Sequence, residues 1–174
     1  DRLKRGAGSA EELRADPADG QVRSLQALWE LCTGSYTTDE IQQYWAKECK
    51  PFREMALGRP ATASSAKSDE RHAKCAFDGQ PSSRWTSVYS DKQWLEVDLG
   101  VLCWLQRAEV HWEKACAKEY LLQGSSDGET WKSLAKERGQ EGWVKTQLPT
   151  DFQARYVRLY GLTRATTYGF SVWE

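Results

Sequence analysis

The stretch Gln93-Trp94-Leu95-Glu96-Val97-Asp98-Leu99-Gly100, followed by Arg107-Ala108-Glu109-Val110-His111-Trp112, decides the fold. Leu95, Val97 and Leu99 alternate with Glu96 and Asp98, the period of two that puts apolar side chains on one face of a strand and carboxylates on the other, and Gly100 breaks the run. Ala108, Val110 and Trp112 alternate in the same way with Arg107, Glu109 and His111. Further short strands are expected at Tyr120 to Gly124, Thr130 to Leu134, Trp143 to Leu148 and Arg155 to Tyr160. Turn-rich pieces, Ser125 to Gly128 and Gly139 to Gly142, separate them. Many short strands with no helical pattern between them predict an all-β domain over residues 56–174, an antiparallel β-sandwich or jelly roll.

Upstream the period changes. Leu25, Leu28, Trp29 and Cys32 fall at the spacing that lines one helical face, and Gly34 stops the run. Ile41, Tyr44, Trp45 and Cys49 form a second stripe, ended by Pro51. Thr37 with Glu40, and Ser9 with Glu12, have capping-box spacing. Residues 1–55 therefore read as a polar, mobile leader containing Pro17 and Gly20, then a short α-helical hairpin over about residues 24–50. So short a pair buries little alone and is expected to dock on the rest of the chain or on another protein chain.

Composition excludes several classes. The 174 residues are 40% hydrophobic and 11% aromatic, too rich in rings for a disordered tract. The net charge of -1 leaves no surplus to neutralise phosphates, so nucleic acid is not the expected partner. No apolar run approaches the length of a transmembrane segment, and the first ten residues lack the apolar stretch of a signal peptide, so a soluble molecule whose first residue marks a cut is expected. Five cysteines, without CxxC or a Cys/His cluster, read as buried or half-buried thiols and favour a reducing compartment; a Cys32–Cys49 bridge is the alternative. Two histidines, His72 and His111, with no HExxH, GxSxG or glycine-rich phosphate loop, argue against an enzyme. His72 and Cys75 stand three apart and read as a turn rather than a dyad.

The order of motifs carries a resemblance. Ala61-Thr62-Ala63-Ser64-Ser65, Ala76-Phe77-Asp78-Gly79, Ser83-Arg84-Trp85-Thr86-Ser87, Gln93 to Gly100, Val110-His111-Trp112-Glu113, Ser125 to Trp131, Ala154 to Leu159 and Thr163 to Glu174 follow one another. Together they resemble the coagulation factor 5/8 type C (discoidin) superfamily, closest to its family 32 carbohydrate-binding modules, over residues 57–174. The resemblance implies a galactose-binding-like sandwich. Secreted animal members tie their ends with a disulfide, but no cysteine lies near Leu57 or Glu174, which turns the resemblance away from the membrane-docking type. The family's last strand runs beyond the position of Glu174, implying that the chain stops inside a larger protein. The family prior on location is extracellular, against the thiol argument.

The resemblance also implies sites. A structural Ca2+ would be held by the backbone oxygens of Cys75, Gln80 and Trp173, the carboxylates of Asp78 and Glu174, and the Ser83 hydroxyl; the competing reading of Asp78-Gly79 is a plain turn. Sugar recognition needs a ring to lie against a pyranose face and a few polar groups to fix its hydroxyls. The matching positions are Glu70, Tyr89, Glu113, Arg164 and Tyr168. Galactose binders carry a His just after the motif Trp; Thr86 stands there and leaves the glycan open. Trp85, Trp94, Trp112 and Trp131 are expected in the core, Arg84 is expected to pair with a carboxylate such as Glu113, and Arg158 and Tyr160 are expected on the face opposite Val157 and Leu159. The leading expectation is a non-catalytic, lectin-like carbohydrate-binding module. The alternative is a protein-interaction domain of a larger assembly, and a third reading, lipid-headgroup docking, lacks Trp or Phe at the loop tips.

Overall fold

Alternation becomes sheet as the pattern requires. In the computed structural model, which describes residues 12–19, 21–51, 54–149 and 151–174, the division between two compact units falls between Glu54 and Met55. The first unit contains β1 (Leu13–Ala15), β2 (Val22–Ser24), α1 (Leu25–Cys32), α2 (Thr38–Lys47) and β3 (Lys50–Pro51). The second contains β4 (Ala61–Ala63), β5 (Trp85–Thr86), β6 (Gln93–Trp104), β7 (Arg107–Trp112), β8 (Ala117–Ser125), β9 (Lys132–Glu137), β10 (Gly142–Gln147), β11 (Gln153–Arg164) and β12 (Ser171–Val172).

The second unit is an antiparallel sandwich. One sheet has the order β4-β6-β11-β8-β9 and the other β10-β7-β12-β5. Leu95, Val97 and Leu99 of β6 and Val110 and Trp112 of β7 are buried, as their alternation demands. Trp85, Trp112, Tyr120 and Phe170 lie at the centre of the core with no solvent exposure. Gly161 lets β11 pass directly over Phe170: a Cβ there would come within 2.6 Å of the ring.

Two of the four tryptophans correct the expectation that all fill the core. Trp94 and Trp131 are only half-buried, and Trp131 precedes β9 rather than lying on it. Both rings flank Arg158, whose guanidinium carbon lies 3.6 Å from the Trp131 ring centre and 5.6 Å from that of Trp94. Arg158 and Tyr160 do alternate against buried Leu159. A large ring is apolar enough for the core, yet it serves equally as a lid over a cation, and period two does not distinguish these. Arg84 also departs from expectation. It stacks 4.5 Å from the Trp173 ring centre and forms no ion pair with Glu113 among the described residues.

The helical hairpin forms, with Ser24 and Thr37 as N-caps and the Thr37–Glu40 capping box complete. Ser9 lies outside the described residues. The expectation of a mobile leader fails at Leu13–Ala15 and Val22–Ser24, which pair with each other, while β1 also pairs with β3. The cause is polar: buried Asp16 accepts hydrogen bonds from Ala18 N and the Tyr44 hydroxyl and pairs with Arg23, which tethers the hairpin turn to α2. Cys32 and Cys49 are free thiols, packed with Leu28, Ile41 and Trp45 as apolar groups rather than bridged.

Candidate functional site: the loop end of the sandwich

Strand directions decide which loops meet. Ala63 pairs with Leu95, Ser171 with Thr86 and Arg164 with Ala117, so β4 and β5 end, and β6 and β8 begin, at the same end of the sandwich. Loops 64–68, 87–92, 113–116 and 165–170 gather there. They are braced to one another: Val88 N donates to Ser65 Oγ at 3.1 Å, Lys67 N to Thr86 O at 2.8 Å, Phe170 N to Ser87 Oγ at 2.9 Å and Ala165 N to Cys116 O at 3.0 Å. Loop amides satisfied in this way tie the four loops to one another.

Tyr89 and Tyr168 stand together in it. Their rings meet edge to face, 5.8 Å between centroids, and are 47% and 59% exposed. Lys67 Nζ reaches the Tyr89 phenolic oxygen at the ring's hydroxyl edge, 4.7 Å from the centroid. Arg164 is spent internally. Its backbone N and its Nε both donate to Asp91 Oδ1 at 3.0 Å, and Nη1 donates to Thr167 O at 3.1 Å and Tyr168 O at 3.4 Å. The Arg164 amide, then its guanidinium, hold the Asp91 carboxyl below its usual range. Arg164 therefore positions Tyr168 against the Tyr89 loop.

Glu113 turns inward to its own loop, its Oε2 accepting from Ala115 N at 2.9 Å. Glu70 lies exposed on the 3-10 turn Asp69–Arg71 and makes no side-chain hydrogen bond with another described residue. Thr86, at the position of the galactose binders' histidine, is buried with its Oγ1 3.1 Å from Ser171 Oγ. The structure thus brings Tyr89, Tyr168 and Arg164 together and adds Lys67 and Asp91, which sequence reasoning did not single out. Nothing in the local pattern marks Lys67; only its place after the Ser64-Ser65 loop could have drawn attention to it.

The residues 75–83 form a second constellation. Ser83 Oγ lies 2.8 and 2.7 Å from the two Asp78 carboxylate oxygens and 3.2 Å from both Cys75 O and Gln80 O. A hydroxyl carries one proton and cannot satisfy four acceptors, so this oxygen-rich knot has the donor chemistry of a hard-cation site. Trp173 is tied to the neighbouring residue by the Arg84 stack, while the backbone oxygen of Glu174 accepts from His111 N at 2.6 Å.

The sandwich thus carries two exposed tyrosines on braced loops at one end. A model of the F5/8 type C domain matches residues 60–174, and the chain belongs to that family. Chitosan-binding module 1 of a chitosanase/glucanase from Paenibacillus sp. IK-5 is 35% identical, with a TM-score of 0.67 over 71% of this chain and 96% of that one. Module 2 of the same enzyme, solved in complex with chitotriose, is 31% identical, with a TM-score of 0.66 over 70% and 96%. The polysaccharide lyase 8 family protein HylA of Enterococcus faecalis is 34% identical over 88 residues; the match spans 48% of this chain and 6% of the lyase. The chain is homologous to carbohydrate-binding modules.

Proposed function

We propose that the sandwich is a non-catalytic carbohydrate-binding module that takes a glycan at its loop end. The observation that carries this reading is the exposed Tyr168 ring held beside Tyr89 on cross-braced loops. A ring so fixed loses little entropy on stacking against a pyranose face, and the Lys67 ammonium beside it is suited to donate to hydroxyls. The binding-module relatives matched over nearly their whole length support it, one of them solved with chitotriose. Weak grip per module would gain avidity when the module is tethered to an enzyme or repeated.

A glycan array probed with the full chain tests the proposal. Binding should fall at least about tenfold in Tyr168→Ala, in line with the loss of an aromatic anchor. Binding to no glycan, or binding indifferent to that change, sinks it.

We also infer a structural Ca2+ on Asp78, Ser83 and the carbonyl oxygens of Cys75 and Gln80, with the Trp173 carbonyl and the Glu174 carboxylate as the remaining donors. The support is the crowding of oxygens on the Ser83 hydroxyl. Bound there, the cation would supply charge that locks the loop to the C-terminal strand and would take no part in chemistry.

A further inference from the structure

The charges at the loop end say more about the ligand than its rings do. Asp91 and Arg164 cancel one another in a direct ion pair. The Glu113 carboxylate is engaged by the Ala115 amide. Asp69 and Glu70 stay exposed on the short turn they share with Arg71, and neither pairs with a cation among the described residues. The ammonium of Lys67 lies against the Tyr89 hydroxyl, beside Tyr168, and no carboxylate among the described residues pairs with it. Lys92, at the end of the same loop as Tyr89, adds a second cation and holds the left-handed backbone (φ 59°) that non-glycine residues adopt at a cost.

We infer that the glycan taken at this end is acidic, a uronate-containing polysaccharide, with its carboxylate on Lys67 while the sugar face lies on Tyr168. This rests on the glycan reading above and names its substrate class. Lys67 stands 4.7 Å from the Tyr89 centroid, and that centroid 5.8 Å from the Tyr168 ring, so ring and ammonium fall within the reach of one or two sugar residues. A lysine is a compact point charge with three donors on a flexible stem, suited to a carboxylate that arrives in several orientations along a polymer. The Tyr89 hydroxyl, which accepts from Lys67 Nζ, keeps that stem beside the exposed rings. An amino-sugar polymer would bring its own ammonium groups up to Lys67 and be repelled.

The test is affinity electrophoresis and calorimetry of the full chain against alginate and hyaluronan (acidic), chitosan (cationic) and a neutral β-glucan. The acidic polymers should bind most tightly and weaken as salt is added. Lys67→Gln should weaken them about tenfold with an unchanged melting temperature, since Lys67 is exposed. Lys67→Arg should retain most of the affinity. Tighter binding of chitosan or the neutral glucan, or acidic binding indifferent to Lys67→Gln but lost in Tyr168→Ala, overturns the acidic assignment and leaves the glycan reading standing. Binding of none of the polymers, or binding indifferent to both changes, overturns both.

Discussion

Asp127 is a carboxylate that builds a loop. Its Oδ1 accepts from the backbone amides of Glu129 and Thr130 at 2.9 and 2.8 Å and from the Ser125 hydroxyl at 2.9 Å. Those donors, the Thr130 amide first, pull its pKa down to about 2. The turn it organises brings Gly128 against the Tyr156 ring and leads into Trp131, the lid on Arg158. The folded carboxyl titrates near 2 and an unfolded one near about 3.9, so its contribution is complete above about pH 4 and is lost as pH falls towards 2. Asp127→Asn should therefore be less stable than the wild type at neutral pH, with the difference closing over that acid window. Urea melts across pH would show it; a difference that stays constant would mean that the charge contributes nothing. The Ser125-Ser126-Asp127-Gly128 turn was legible from residue types, because an Asp that accepts local amides is a short-range device. The two rings over Arg158 were not, because Trp94 comes from β6 and Trp131 from the turn before β9, both distant in sequence.

Between single residues and the whole fold stands the join of the 75–83 loop to β12. That strand has two residues, pairing with β5 through Ser171 and Thr86 and with β7 through Val172 and Trp112. Arg84 stacked on Trp173 continues the join on one side, and His111, exchanging backbone hydrogen bonds with Trp173 and Glu174, on the other. If calcium occupies the oxygen knot around Ser83, it stabilises the folded state by mass action, and the melting temperature should rise with added calcium and fall on chelation. Asp78→Ala should abolish that response. A melting temperature unmoved by calcium would leave the residues as a hydrogen-bonded turn. The five-residue spacing of Asp78 and Ser83 was visible in the sequence. The convergence of the Cys75 and Gln80 carbonyls on the same hydroxyl was not, since main-chain oxygens leave no trace in residue identity.

At the scale of the molecule, each unit has its own core. That of the sandwich is drawn from residues 73–172, that of the smaller unit from Leu28, Ile41, Trp45 and Cys49 with their neighbours. The sandwich unit, at about 120 residues, has the size of an ordinary domain, whereas the smaller unit, at about 54, is marginal. Residues 55–174 expressed alone should melt in one cooperative transition and keep the glycan affinity of the full chain. Loss of folding on removal of residues 1–54 would show that the sandwich depends on them. Among the described residues no helix is long and apolar enough to cross a membrane.

The sequence by itself determined the long strands of the sandwich, most of their inward faces and the helical hairpin, because periods of 2 and 3.6 and the capping residues act over a few positions and are written in residue order. It did not determine β1 to β3. Only the tertiary structure decided that Lys67 lies on Tyr89, 22 residues away, that Arg164 reaches Asp91 across 73, and that Trp94 and Trp131 close over Arg158 instead of entering the core. Those meetings depend on strand order and register. Two sequences with the same alternation can differ in both, so the composition of the mouth emerges only when the sheets have formed.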